Sequence, residues 1–158
     1  MSNPSYFVLI AADADRNRRY LPSAFDLAKY RLERKEWGLK DRTRYRRSMM
    51  PGDKVLIYIS GHRENAQHFV ASAIIASIPT DNSGGVVDSP TMQTAIFSEY
   101  KVALKNVHYF TNPVCARHLL NKFKFIAPNR QSMWRIYFQG GAMRLKRYDF
   151  NLVVRHGK

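Results

Sequence analysis

Met50-Pro51-Gly52-Asp53-Lys54-Val55-Leu56-Ile57-Tyr58-Ile59-Ser60 is the stretch that decides how this 158-residue chain folds. Pro51-Gly52-Asp53 is a strong turn signal, since proline presets one corner and glycine accepts the next. The run after it, residues 54–60, sets Val55, Ile57 and Ile59 on one face and Leu56 and Tyr58 on the other, so it reads as a strand covered on both sides. A polar loop over residues 61–67 joins it to a second strand over 69–78, which predicts an antiparallel pair.

Upstream, residues 6–12 form an apolar, strand-forming run closed by Asp13 and Asp15, followed by the polar turn Arg16-Asn17-Arg18-Arg19. Phe25, Leu27, Ala28 and Leu32 recur near helical spacing, predicting an amphipathic helix over 23–36 that ends near Trp37-Gly38. Asp41 is placed to cap a short basic helical turn over 43–48. Downstream, residues 79–90 read as a surface excursion with the character of a lid, and 93–107 as a strand. Asn112-Pro113 has the form of a helix start, running to Leu120. Residues 134–138 read as an aromatic strand, Gly140-Gly141 as a turn, and the tail from Met143 as a terminal helix. The order predicts one α+β domain over residues 1–158, a small curled sheet or barrel of about five strands flanked by helices. A doubly wound fold is disfavoured.

Composition narrows the function. Apolar residues make up 45% and charged residues 24% of the chain, enough core-forming material to exclude a disordered segment. Twenty-six Lys and Arg against twelve Asp and Glu give a net charge of +14. After Glu99 the one acid is Asp149, set among twelve basic residues. A single-sign field of this kind attracts phosphates and points to nucleic acid. The lone Cys115 forms no internal disulfide, no apolar run spans a bilayer, and no export signal is present, so a cytoplasmic protein is expected, with no membrane partner.

Catalytic signatures are missing. Gly84-Gly85 and Gly140-Gly141 lack the spacing of a phosphate-cradling loop. His62, Glu64 and His68 lack metal-ligand spacing, and Cys115 reads as a core thiol. No metal, cofactor or catalytic residue is expected. Aromatic side chains interleaved with Arg are instead suited to base stacking. Trp37 stands out, beside the basic run Lys40, Arg42, Arg44, Arg46 and Arg47.

Two separated motifs resemble a known family. Trp37-Gly38-Leu39 followed by Met50 to Tyr58, and Trp134-Arg135-Ile136-Tyr137-Phe138-Gln139-Gly140-Gly141-Ala142-Met143-Arg144, are similar to elements of EVE domains, members of the PUA-like superfamily. The resemblance implies a small barrel with a cleft that accepts a single base, a methylated one in an aromatic cage among relatives such as YTH domains. Carried over by position, it places Trp37, Gly38, Leu39, Tyr58, Ser60, Trp134, Tyr137 and Phe138 around that cleft. Lys40, Arg42, Arg44, Arg46, Arg47, Arg135 and Arg144 are the expected phosphate contacts. The departures here are the lack of the Arg-Asn pair that the family more often has after the Trp-Gly element, and Tyr58-Ile59-Ser60 where it more often has His-Ser after the strand tyrosine.

The resulting expectation is a module that reads a flipped, modified base, in DNA ahead of RNA, with a nuclease or modification-system protein as a further partner. A general RNA-binding accessory domain is the first rival. The second is a hydrolase of modified nucleosides, which requires a Lys or Thr with a Glu converging in the cleft, Glu99 being the candidate acid.

Overall fold

Asp53 explains why the central turn is so sharply defined. Its Oδ2 accepts from the Met50 N–H at 2.9 Å and its Oδ1 from the Ser5 N–H at 2.9 Å, so one buried carboxylate closes the turn and fixes the start of the first strand. Gly52 occupies the left-handed region at φ +96°, which only glycine adopts without strain. The computed structural model describes residues 3–13, 22–81 and 98–158.

These residues form β1 (Tyr6–Ala11), α1 (Ala24–Glu33), β2 (Glu36–Leu39), β3 (Lys54–Ile59), β4 (His68–Ile75), β5 (Thr80–Asp81), β6 (Tyr100–Cys115), β7 (Ala142–Leu145) and α2 (Arg147–Gly157). The strands make one curled, mixed, seven-stranded sheet in the order β2-β6-β4-β3-β1-β7, with β5 also on β6. β1 and β3 are parallel, and the remaining pairs are antiparallel. Register shifts along β4 interrupt both of its ladders, and such bulges bend a sheet. The expected curled α+β sheet is present, with seven strands in place of about five.

Alternation divides the core. Phe7, Leu9, Val55, Ile57, Trp37 and Leu39 pack with Leu32 of α1 on one face. Val8, Leu56, Tyr58 and Phe69 pack with Trp134, Phe138, Phe150 and Leu152 on the other. The sole acid of the basic C-terminal region, Asp149, is buried in this second layer. Its Oδ1 accepts from the Lys124 N–H at 2.7 Å, and burial raises its pKa above the usual carboxylate range. No helix among the described residues is long and apolar enough to cross a membrane.

Several expected elements change identity. Asn112 and Pro113 belong to β6 and start no helix, because Phe69 and His68 pair with Val114 and Cys115. Pro113 is tolerated there since residues 105–115 pair only with β4 among the described strands, leaving an edge that needs no donor. Residues 134–138 are the end of a 3-10 segment, Pro128–Phe138, kinked at Met133. Trp134 and Phe138, four apart, both turn inward, while Arg135 and Ile136 are exposed. In a strand Ile136 would share their face, and its exposure marks the coiled backbone.

α1 is capped by a reciprocal Ser23–Asp26 box and stops at Glu33, after which Lys35 at φ 55° turns the chain into β2. Trp37 is therefore a strand residue. The basic turn shrinks to Arg46–Ser48, preceded by Tyr45 in the left-handed region and uncapped by Asp41. The tail forms β7 before its helix. Of the predicted excursion, Thr80 and Asp81 form β5; residues 82–97, with the start of the predicted 93–107 strand, and the Arg16–Arg19 turn lie outside the described residues.

Candidate nucleic-acid interface

A cavity of about 430 Å³ opens where β1 ends, between α1, β2, the Lys40–Thr43 loop and the Gly140-Gly141 turn. Its walls depend on two glycines. A Cβ on Gly38 would lie 2.6 Å from the Ser98 Oγ and 3.3 Å from the Arg31 Nη2, so those two polar groups converge on a strand position that carries no side chain. A Cβ on Gly141 would lie 2.9 Å from the Thr43 Oγ1, and the Gly141 carbonyl accepts from the Ile10 N–H at 2.9 Å. Thr43 in turn holds its own loop, its Oγ1 accepting from the Lys40 N–H at 2.9 Å.

Asp13 fixes the mouth. Its Oδ1 accepts from the Ala24 N–H at the start of α1 at 2.8 Å, and its Oδ2 from the His62 N–H at 3.2 Å. A carboxylate at a helix N-terminus is also stabilised by the unpaired N–H groups there. Apolar surface comes from Ile10, Ala12 and Leu27.

Arg31 is the dominant charge of the inner wall. Its guanidinium lies 5.0 Å from the Trp37 ring centroid and forms no ion pair with any described residue. Desolvation lowers its pKa to about 10, so it is cationic at neutral pH. Lys40 and Arg42 border the same cavity but are exposed. Charge is thus arranged in depth: one desolvated guanidinium inside and two solvated cations outside.

Of the eight residues expected at a base-binding cleft, Gly38 borders this cavity. Trp37 is 1% exposed, and its ring face is covered by Arg31. Residues 37 and 39 are the inward positions of β2, which buries Leu39 as well. Ser60 donates its hydroxyl to the Ala11 carbonyl at 2.9 Å, tying β3 to β1. Tyr58 alternates to the second layer, where its hydroxyl donates to the Gln67 Oε1 at 2.8 Å and its ring stacks on Phe138 at 4.1 Å. Trp134, Tyr137 and Phe138 lie in that same layer, so they do not face the Gly38 cavity. Among the described residues the cavity lining contains no aromatic ring.

The expected phosphate contacts also separate. Lys40 and Arg42 are at the cavity, with Arg44 and Arg47 exposed on the following loop. Arg46 is committed to structure: it pairs with Asp41 at 3.3 Å and lies 3.9 Å above the Tyr100 ring, with its side chain 11% exposed. Arg144 donates to the Ser5 Oγ at 3.1 Å, and Arg135 lies beside Trp134 in the second layer. Glu99 is exposed, its Oε2 accepting from the Asp41 N–H at 3.3 Å, and the lysine bordering the cavity is the exposed Lys40. Among the described residues no buried lysine stands beside Glu99, while Thr43 lines the cavity.

Arg31, Asp13, Ser98, Thr43 and Gly141 line the cavity without having been singled out for it in the sequence. One signal did mark Arg31: it falls on the stripe of Ala24, Leu27, Ala28 and Leu32, where α1 buries its side chains.

The family model described as EVE domain matches residues 21–156 of the chain. No curated protein matches it in sequence. Among solved structures it is similar to human THYN1 in complex with 5-methylcytosine containing DNA, with 11% identity, 98% of each chain covered and a TM-score of 0.60. It is also similar to the YTH domain of Zygosaccharomyces rouxii MRB1 in complex with N6-methyladenosine RNA, at 12% identity, covering 100% of this chain and 89% of that one, with a TM-score of 0.58. The N-terminal domain of Staphylothermus marinus McrB follows at 11% identity, 96% and 94% coverage and a TM-score of 0.52. These likenesses establish a shared PUA-like fold.

Proposed function

This chain belongs to the EVE domain family, and on that premise we propose that it binds nucleic acid as a single module, taking one flipped-out, modified base into the cavity beside Arg31. The observation that carries the reading is the ordering of charge with depth. Exposed Lys40 and Arg42 are suited to backbone phosphates, while the guanidinium behind them has no ion-pair partner among the described residues and offers its donors to an occupant of the cavity. The volume of about 430 Å³ lies within the range of sites that enclose a small molecule. The complexes of THYN1 with methylated DNA and of the YTH domain with methylated RNA support a base as that occupant.

The physical sequence is phosphate neutralisation, extrusion of a base at a cost of a few kcal/mol, and its capture between the Arg31 side and the apolar wall of Ile10, Ala12 and Leu27. A methyl group on that wall adds about 0.8 kcal/mol when buried. Methylation then biases binding by a few fold, and shape supplies further selectivity. The role is one of binding, with no bond broken. DNA is the first substrate and RNA the second, separated by competition between strands that differ only in the 2′-hydroxyl.

Anisotropy titration of labelled strands with a central 5-methylcytosine, cytosine or abasic residue tests the proposal. The methylated strand is expected to bind tightest and the abasic strand weakest; equal affinity for all three removes the base-binding reading. Replacing Lys40 and Arg42 by alanine is expected to lower the slope of log affinity against log salt by about one per lost phosphate contact, similarly for every strand. Gly38→Val is expected to weaken binding by about tenfold or more by pushing Ser98 and Arg31 from the cavity wall, with the salt slope unchanged.

A further inference from the structure

The chemistry of Arg31 restricts which bases the cavity can hold. A guanidinium has five N–H donors in a planar fork and no acceptor. The guanidinium carbon of this one lies over the Trp37 ring at 5.0 Å, and its Nη2 lies 3.3 Å from where a Cβ on Gly38 would stand, at the cavity wall. Among the described residues it has no hydrogen-bond or ion-pair partner. Asp13 lines the same cavity without pairing to Arg31. Both of its oxygens already accept backbone N–H groups, yet each keeps acceptor capacity. The occupant thus meets donors from one side and an anionic acceptor from another.

We infer that Arg31 is the specificity-determining residue of the cavity and that it selects a base with two adjacent hydrogen-bond acceptors on one edge, cytosine through O2 and N3 or guanine through O6 and N7, against adenine and thymine. The inference rests on the base-binding reading above. Adenine sets an amine beside each ring-nitrogen acceptor of its polar edge, and thymine sets its N3–H between its two carbonyls. Either one turns an N–H toward the guanidinium and leaves a donor facing a donor. Cytosine and guanine present paired acceptors to the fork and also carry an exocyclic amine for an acceptor such as Asp13. Loss of the hydrogen bonds of a buried charged group is heavily penalised, so discrimination comes from the cost of the wrong base as much as from the attraction of the right one.

A short single strand of abasic residues carrying one central base isolates the effect, because the phosphate contacts stay constant while the base changes. Strands with cytosine or guanine are expected to bind about tenfold tighter than those with adenine or thymine. Arg31→Met, which keeps an unbranched apolar stem over Trp37, is expected to bring the four affinities within about twofold of one another while leaving the salt slope unchanged. Arg31→Lys, which keeps the charge and loses the planar fork, is expected to do the same, and it serves if the methionine variant does not fold. If the four bases bind alike but tighter than a fully abasic strand, or if both variants keep the preference, the role of Arg31 is overturned and the base-binding reading stands. If the fully abasic strand binds as tightly as any other, the reading itself fails.

Discussion

Phe138→Ala is expected to lower the free energy of unfolding by about 3–5 kcal/mol, a large share of the roughly 5–15 kcal/mol that holds an ordinary domain together. Phe138 is 4% exposed and stands at the centre of the second layer. It stacks on Tyr58 at 4.1 Å and 15° and meets Phe69, Phe125 and Trp134 edge-on at 5.8, 5.9 and 6.0 Å. Truncation opens a void among four rings and removes several aromatic pairs, each worth about 0.5–1.5 kcal/mol beyond its area. The segment that carries it is 3-10 in geometry, with poorer hydrogen bonds than an α-helix, so side-chain packing supplies much of what holds it down. Urea unfolding measures the loss, and a change below about 1 kcal/mol contradicts the packing described. Because Phe138 faces away from the Gly38 cavity, affinity per folded molecule is expected to stay within about twofold. A larger drop returns Phe138 to the binding surface that family resemblance implies.

Trp37→Ala is expected to cost a comparable 3–5 kcal/mol and, unlike Phe138→Ala, to damage binding as well. Its indole is among the largest fully buried side chains and supports the Arg31 guanidinium from below. Alanine removes both the core volume and the ring that the Arg31 guanidinium packs over, so strands with different central bases are expected to converge in affinity. Trp37→Phe keeps a ring beneath the guanidinium and is expected to retain base preference with a smaller loss of stability, read by thermal unfolding and anisotropy together. An indole that itself carried the base would predict the opposite pattern for the alanine variant: a stability change near zero with binding abolished.

The chain's architecture is legible where local chemistry and tertiary demand agree. Pro51-Gly52-Asp53, the both-sided apolar run of β3 and the Ser23 cap are each used as their residues suggest. Where local and long-range demands conflict, the long-range one prevails. Asn112-Pro113 offers a helix start, yet pairing with β4 extends the chain through it. The aromatic residues from Trp134 to Phe138 have strand propensity, yet the backbone there is 3-10, and Ile136 is exposed between the buried Trp134 and Phe138, where a strand would turn all three to one face. The cavity was the least legible part. Its walls come from the end of β1, α1, β2, the Lys40–Thr43 loop, Ser98 and the Gly140-Gly141 turn, so no local motif announces it. A cation on a helix ordinarily reads as a solvated face, and Arg31 is exceptional because it lies on the stripe that packs inward. Trp37 attracted the binding role that belongs, in this reading, to the charged group resting on it.

The first strand has a neighbour drawn from each half of the chain: β3 in parallel on one side and β7 on the other. As the polypeptide leaves the ribosome, β1 emerges early but lacks its second partner until residues 142–145 have been made. The Gly141 carbonyl that receives the Ile10 N–H is equally late. Closing a loop of that length carries an entropic cost that slows folding. Synthesis is thus expected to have passed residue 145 before the nascent domain acquires resistance to protease.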